Sequence, residues 1–222
     1  MTSNAGTAPR VRDGVRAAIP LAPGPFVFGL TFGVLAETVG MGAVAAVVMS
    51  ATTFAGSAQF AVATVLDDGG TAAAAIMAAV FLNARYAAIS VTVASIVPGG
   101  RFRRLLGSQL IVDESWAIAG RSGRFEWPIL AGAGMLLYSL WVGSTALGAL
   151  LGGVLLEDPN QLGLDAAFAT LFLALAVPYL REKRAAQAAL LGAAITLVLL
   201  PIAPAGIPIV AASAACLIGL RR

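Results

Sequence analysis

Between Thr71 and Val97 the chain carries a single charge, Arg85, near the middle of an apolar run that reads Asn83-Ala84-Arg85-Tyr86 at that point. The run exceeds the about 20 residues that a helix needs to cross a bilayer. A charge at the centre of such a helix costs roughly 2.5–3.5 kcal/mol on insertion scales, so it faces protein or an aqueous path rather than lipid. Arg85 is about equally far from both ends of its run, which makes snorkelling to either surface difficult. The chain must therefore fold as several helices packed around this position, and Arg85 is the first candidate functional residue.

The composition agrees with a membrane protein. Of 222 residues, 59% are hydrophobic and 11% charged, whereas soluble domains run at about 25% charged. Uncharged stretches cover 17–36, 38–66, 69–84, 86–100, 127–156, 166–180 and 185–220. The last is too long for one span, and Pro201, Pro204, Gly206 and Pro208 in its middle predict a pair of short helices. The expected fold is an all-α polytopic bundle of about 6–8 spans. Residues 1–16 read as a cytoplasmic tail, 17–220 as a single transmembrane domain, and 101–126 as an amphipathic cytoplasmic connection within it.

Basic clusters at Arg10/Arg12/Arg16, Arg101/Arg103/Arg104 with Arg121/Arg124, Arg181/Lys183/Arg184 and Arg221/Arg222 alternate with acidic loops at Asp67/Asp68 and Glu157/Asp158/Asp165. The positive-inside rule then puts both termini in the cytoplasm of a bacterial cell. Between Arg16 inside and Asp67 outside the chain must cross an odd number of times, yet it holds two apolar stretches. One crossing with a re-entrant segment and three short crossings both satisfy this count, unless the charge rule fails here. Re-entrant and broken helices are tolerated where they line protein or a cavity, and transporters build midplane sites from them.

The polar content of 38–66 points the same way. Ser50, Thr53, Ser57 and Thr64 share one face of an ideal helix, and Gln59 falls on roughly the opposite face. A break near Gly56 predicts Ser57 and Gln59 turned toward one cavity. Upstream, Pro20, Pro23 and Pro25 exclude a regular helix interior. Gly29 and Gly33 form a GxxxG pair that reads as close helix packing, with Glu37 one turn further on. In 101–126, Phe102, Leu105, Val112 and Trp116 fall on one helical face and Arg101, Arg104, Ser108 and Ser115 mostly on the other, with Asp113-Glu114 as an interruption.

Four segments in order resemble one family. Phe28-Gly29-Leu30-Thr31-Phe32-Gly33-Val34-Leu35-Ala36, then Met49-Ser50 and Phe54-Ala55-Gly56-Ser57-Ala58-Gln59-Phe60, resemble the signature of the AzlC family. Its members are the large subunits of two-component branched-chain amino acid exporters. Leu82-Asn83-Ala84-Arg85-Tyr86 resembles that family's Asn-x-Arg segment, Val112-Asp113-Glu114-Ser115 its Asp-Glu step, and Leu164-Asp165 through Val177-Pro178 its later Leu-Asp-Phe and Phe-Leu-x-Leu-x-x-Pro segments. Ala166-Ala167-Phe168 departs from the pattern, in which an aromatic follows the aspartate directly. The resemblance spans about residues 12–222. It implies export of valine, leucine or isoleucine, a small membrane partner of the AzlD type and coupling to the proton gradient.

A branched-chain amino acid presents a carboxylate, an ammonium and an apolar side chain. Arg85, or backbone amides freed near Gly56, would take the carboxylate. Gln59, Asn83 or Ser57 would orient the ammonium, and Phe54, Phe60 and Tyr86 would wall the side chain. Glu37, Asp113 and Glu114 are the candidates for proton exchange, and Asp113 or Glu114 also for pairing with Arg85. No metal, cofactor or nucleic acid is expected, and a higher oligomer is compatible with the sequence. The chain has no histidine, and its one lysine, Lys183, lies in a loop, so serine-protease chemistry in the membrane lacks a base. A channel or a non-transporting assembly subunit is the competing reading. Cys216 alone forms no intrachain disulfide and reads as a small buried side chain.

Overall fold

The computed structural model describes residues 9–67, 69–120, 124–155, 173, 176–177, 179–203 and 207–215. These residues are helical with short connections, and no strand occurs among them. Helix α1 (Val11–Ala18) and a 3-10 turn (Ile19–Leu21) lead into α2 (Pro23–Thr38), with a bend of 68° between the two arms. The prolines explain the bend. Pro20 sits in the 3-10 turn, and Pro23 and Pro25 occupy the first turn of α2, where no intrahelical N–H is needed. At its other end α2 stops in a Schellman turn: Met41 N–H donates to the Ala36 carbonyl and Gly40 N–H to that of Glu37. Gly40, at φ +76°, adopts the left-handed conformation this turn requires.

Then follow α3 (Ala43–Thr53), α4 (Gly56–Asp67), α5 (Ala72–Asn83), α6 (Arg85–Val93), α7 (Arg101–Ser108), α8 (Asp113–Ala119) and α9 (Trp127–Leu155). The chain ends, among described residues, with α10 (Lys183–Leu199) and α11 (Ile207–Ser213), the pair expected from the proline-rich turn. The expected break within 38–66 lies at Phe54-Ala55. Two segments are long and apolar enough to cross a membrane, Ala72–Val93 through α5 and α6, and Trp127–Leu151 of α9; the bent pair of α1 and α2 is a third if it counts as one span. The later segment of the family resemblance, apart from residues 173, 176 and 177, lies outside the described residues, as do Asp165, Cys216 and the arginines at 221–222.

Helix α9 is the hub, packed against α1, α2, α3 and α8. Small residues make this possible, because helix association in lipid depends on close backbone approach. A Cβ on Gly29 would strike the Ser144 hydroxyl, and one on Gly33 the Thr145 carbonyl, so the GxxxG pair of α2 lies against α9. Reciprocally, a Cβ on Gly148 of α9 would strike the Leu30 carbonyl of α2, and one on Gly132 the Val11 carbonyl of α1.

Two expectations need correction. The reading of 1–16 as a tail fails from Val11 onward, because α1 packs on α9 through Gly14 and Gly132. The connection 101–126 is two helices and not a single one with an interruption at Asp113-Glu114: the chain turns between Ser108 and Asp113, and α7 has Phe102 and Leu105 exposed at 71% and 63%. Helix α8 instead buries Ser115, Ala117, Ile118 and Ala119.

Candidate functional site

The α3–α4 break leaves backbone groups without intrahelical partners, and neighbouring side chains take them up. The Tyr138 hydroxyl donates to the Ala51 carbonyl (2.9 Å) and the Gln109 amide to that of Thr52 (3.0 Å). Gln59 Oε1 accepts from the Ala55 N–H (3.3 Å). Phe54 carries the turn with φ +40°, a left-handed backbone on a side chain with a Cβ, a strained conformation that needs surrounding structure to hold it. Its ring packs edge-on against Tyr138 at 5.2 Å.

Behind the break lies a buried polar network. Gln59 Nε2 donates to Ser50 Oγ (2.8 Å), Ser50 and Thr145 share a hydrogen bond (2.9 Å), and Trp141 Nε1 donates to Gln59 Oε1 (3.0 Å). Gln59, Ser50 and Thr145 are each 0% exposed. The network ties α3 and α4 to α9 and fixes the plane of the Trp141 indole. A Gln59→Leu protein is expected to lose about 1–3 kcal/mol of stability, because it strands the Trp141 N–H and removes the donor to Ser50. A lowered thermal midpoint of the detergent-purified protein checks this.

In front of the break is the ion pair. Arg85 opens α6, with Ala84 alone between it and the end of α5 at Asn83. Its Nη2 and Nε both donate to Asp113 Oδ2, at 2.9 and 3.2 Å, and Nη1 donates to the Leu82 carbonyl at 3.3 Å. The Tyr86 hydroxyl also donates to Asp113 Oδ2 (3.3 Å), and the Arg85 guanidinium stands 5.0 Å from the Tyr86 ring centroid. The two side chains are 21% and 20% exposed, so the pair is neither sealed nor on the surface. Glu114 follows on α8, a helix outside both candidate spans. Burial, and then the charge of Asp113, push its carboxyl up to about 7.

This pair faces a cavity walled by Phe28, Phe54, Val112, Leu137 and Trp141, with about 30 Å³ that water can enter. Gly56, Ser57, Tyr86 and Glu114 also line it. Gly56 has no room to spare, since a Cβ there would lie 2.7 Å from the Trp141 ring. Phe54 and Tyr86 are shared with a second, more polar cavity of about 250 Å³, lined further by Thr53, Ser90, Ser108 and Gln109. They form the partition between the two.

The structure thus brings Arg85, Tyr86, Phe54, Gly56, Ser57, Asp113 and Glu114 to one cavity. Gln59, Asn83, Phe60 and Glu37 are not among its lining residues. Gln59 belongs to the network behind, and Phe60 packs edge-on against Phe32 at 5.8 Å. Ser57 Oγ, Asn83 Oδ1 and Glu37 Oε1 are buried with no hydrogen-bond partner among the described residues.

The model of the family described as AzlC protein matches residues 20–155. The chain belongs to the AzlC family. An uncharacterized membrane protein of Archaeoglobus fulgidus is 34% identical over 187 residues, covering 84% of this chain and 83% of the relative. Two uncharacterized membrane proteins from Helicobacter pylori strains are 23% identical over 193 residues, covering 85% of this chain and 84% of each relative. No solved structure gives a significant match. Every residue lining the two cavities lies inside the AzlC-matched region. Sequence reasoning missed Trp141, Leu137, Val112 and Phe28 as walls of this AzlC-family cavity. The one available signal was a tryptophan in mid-span, whose N–H needs a partner away from water.

Proposed function

We propose that this AzlC-family protein is the larger subunit of a secondary transporter that exports branched-chain or other hydrophobic amino acids across the cytoplasmic membrane, coupled to protons. The reading includes about 6–8 spans, cytoplasmic termini and a small AzlD-type partner. The observation that supports it is the Arg85–Asp113 pair, set against an apolar-walled cavity beside a broken helix. Cation, anion and apolar wall are the three features that an amino acid with a hydrocarbon side chain needs.

Glu114 is the proton-exchanging group in this reading. With its carboxyl near 7, it holds a proton below that pH and releases it above, and Asp113 and Arg85 face it and tune that exchange. The test is efflux of labelled leucine from dipeptide-loaded cells that co-express this chain and an AzlD-type subunit. Export should saturate, and should change across about pH 6–8 in vesicles of controlled internal pH. Glu114→Gln should flatten that pH dependence while leaving the protein in the membrane. Unsaturable flux would mark a channel instead, and unchanged efflux with and without the chain a non-transporting subunit.

A further inference from the structure

We infer that the Arg85–Asp113 ion pair is a latch that only a zwitterion opens, with Asp113 the specificity-determining acceptor for the ligand's ammonium. The inference rests on the transporter reading above and deepens it. The cavity holds about 30 Å³ while the pair is closed, room for a water or two. An amino acid enters only if the pair parts. Parting it alone separates two opposite charges beside Phe28, Val112, Leu137 and Trp141, leaving the neutral Leu82 carbonyl on Arg85 and the neutral Tyr86 hydroxyl on Asp113, which is costly. A ligand with one charge re-pairs one partner and strands the other. An α-amino acid carries both charges on neighbouring atoms, so its carboxylate takes the fork of Arg85 while its ammonium takes Asp113.

The hydrogen bonds fit this exchange. Both Nε and Nη2 of Arg85 donate to the same oxygen, Asp113 Oδ2, so these two bonds part together when that oxygen is given up. The Tyr86 hydroxyl reaches the same oxygen from the flank and remains to hold Asp113 when the guanidinium swings away. The Leu82 carbonyl, which accepts from Nη1, tethers Arg85 to the end of α5 during that swing. Without ligand the latch closes, which keeps the path shut.

The experiment uses the full chain with its small subunit, and reads leucine efflux against membrane abundance. Competitors are leucine's α-hydroxy acid analogue, which lacks the ammonium, and 3-methylbutylamine, which lacks the carboxylate. Both should compete at least about tenfold more weakly than leucine. Asp113→Asn should lose most leucine efflux. The double variant Arg85→Gln/Asp113→Asn should reach wild-type abundance, because both charges of the pair go together and neither is left facing a neutral partner, and still fail to export. Three outcomes overturn the latch while leaving the transporter reading intact: restored export in the double variant, which marks a structural pair; wild-type export by Asp113→Asn; or competition by the hydroxy acid equal to leucine's. Absence of leucine efflux from wild-type cells overturns the transporter reading, and the latch with it.

Discussion

An Arg85→Lys protein is expected to reach the membrane at near wild-type abundance and to export leucine roughly 10–100-fold more slowly. The guanidinium serves two directions at once. Nε and Nη2 point to Asp113, and Nη1 points to the Leu82 carbonyl. An ammonium keeps the charge and one contact but not the planar fork. Losing one hydrogen bond to a charged group costs about 1.5–3 kcal/mol, which corresponds to the expected loss. Because the positive charge is retained, Asp113 keeps a partner and folding is spared. Efflux normalised to the membrane band checks it. Full export by the lysine variant would show that a point charge suffices.

Replacing Gly148 by leucine is expected to remove folded protein from the membrane almost entirely. Even a Cβ at that position would fall on the Leu30 carbonyl of α2, and backbone cannot rotate aside as a side chain can. Overpacking costs about 1–3 kcal/mol when side chains move, and more where two helices must separate. Gly143 on the same helix is the control. Nothing lies within 4 Å of its added Cβ, so Gly143→Leu should accumulate normally. Fluorescence size-exclusion profiles of the two variants, run side by side, separate a packing loss from a general intolerance of leucine in α9.

Much of this was legible in the sequence because membrane helices obey few rules. A charge in an apolar run had to find a partner, and Arg85 did. Ser50 and Gln59 on opposite faces of one ideal helix required a break, and the chain breaks at Phe54-Ala55. The break does more than expose polar groups to a cavity: it brings the two faces together, so that Gln59 donates to Ser50. That outcome was not readable, because helical periodicity describes one axis and the bond spans two. Trp141 escaped for a related reason. It lies 82 residues from Gln59 in sequence, and nothing local to either residue signals the other. The interruption expected at Asp113-Glu114 falls earlier, between Ser108 and Asp113, because the apolar periodicity from Phe102 to Trp116 runs in register through that turn. Arg85 and Asp113 were named as possible partners on charge alone; the shared oxygen and the Tyr86 contact belong to the geometry.

The central place of α9 also sets a schedule for biogenesis. Helices α1 to α4 leave the ribosome first, and the helix they pack against follows roughly 90 residues after the end of α2. At about 5–20 residues per second that is a delay on the order of 5–20 s. During it, Ser50 and Gln59 have neither Thr145 nor Trp141 to bond, and the glycine face of α2 has nothing to grip. Until α9 arrives the early helices therefore hold a half-built interface, and the packing that fixes their final positions is completed late in synthesis.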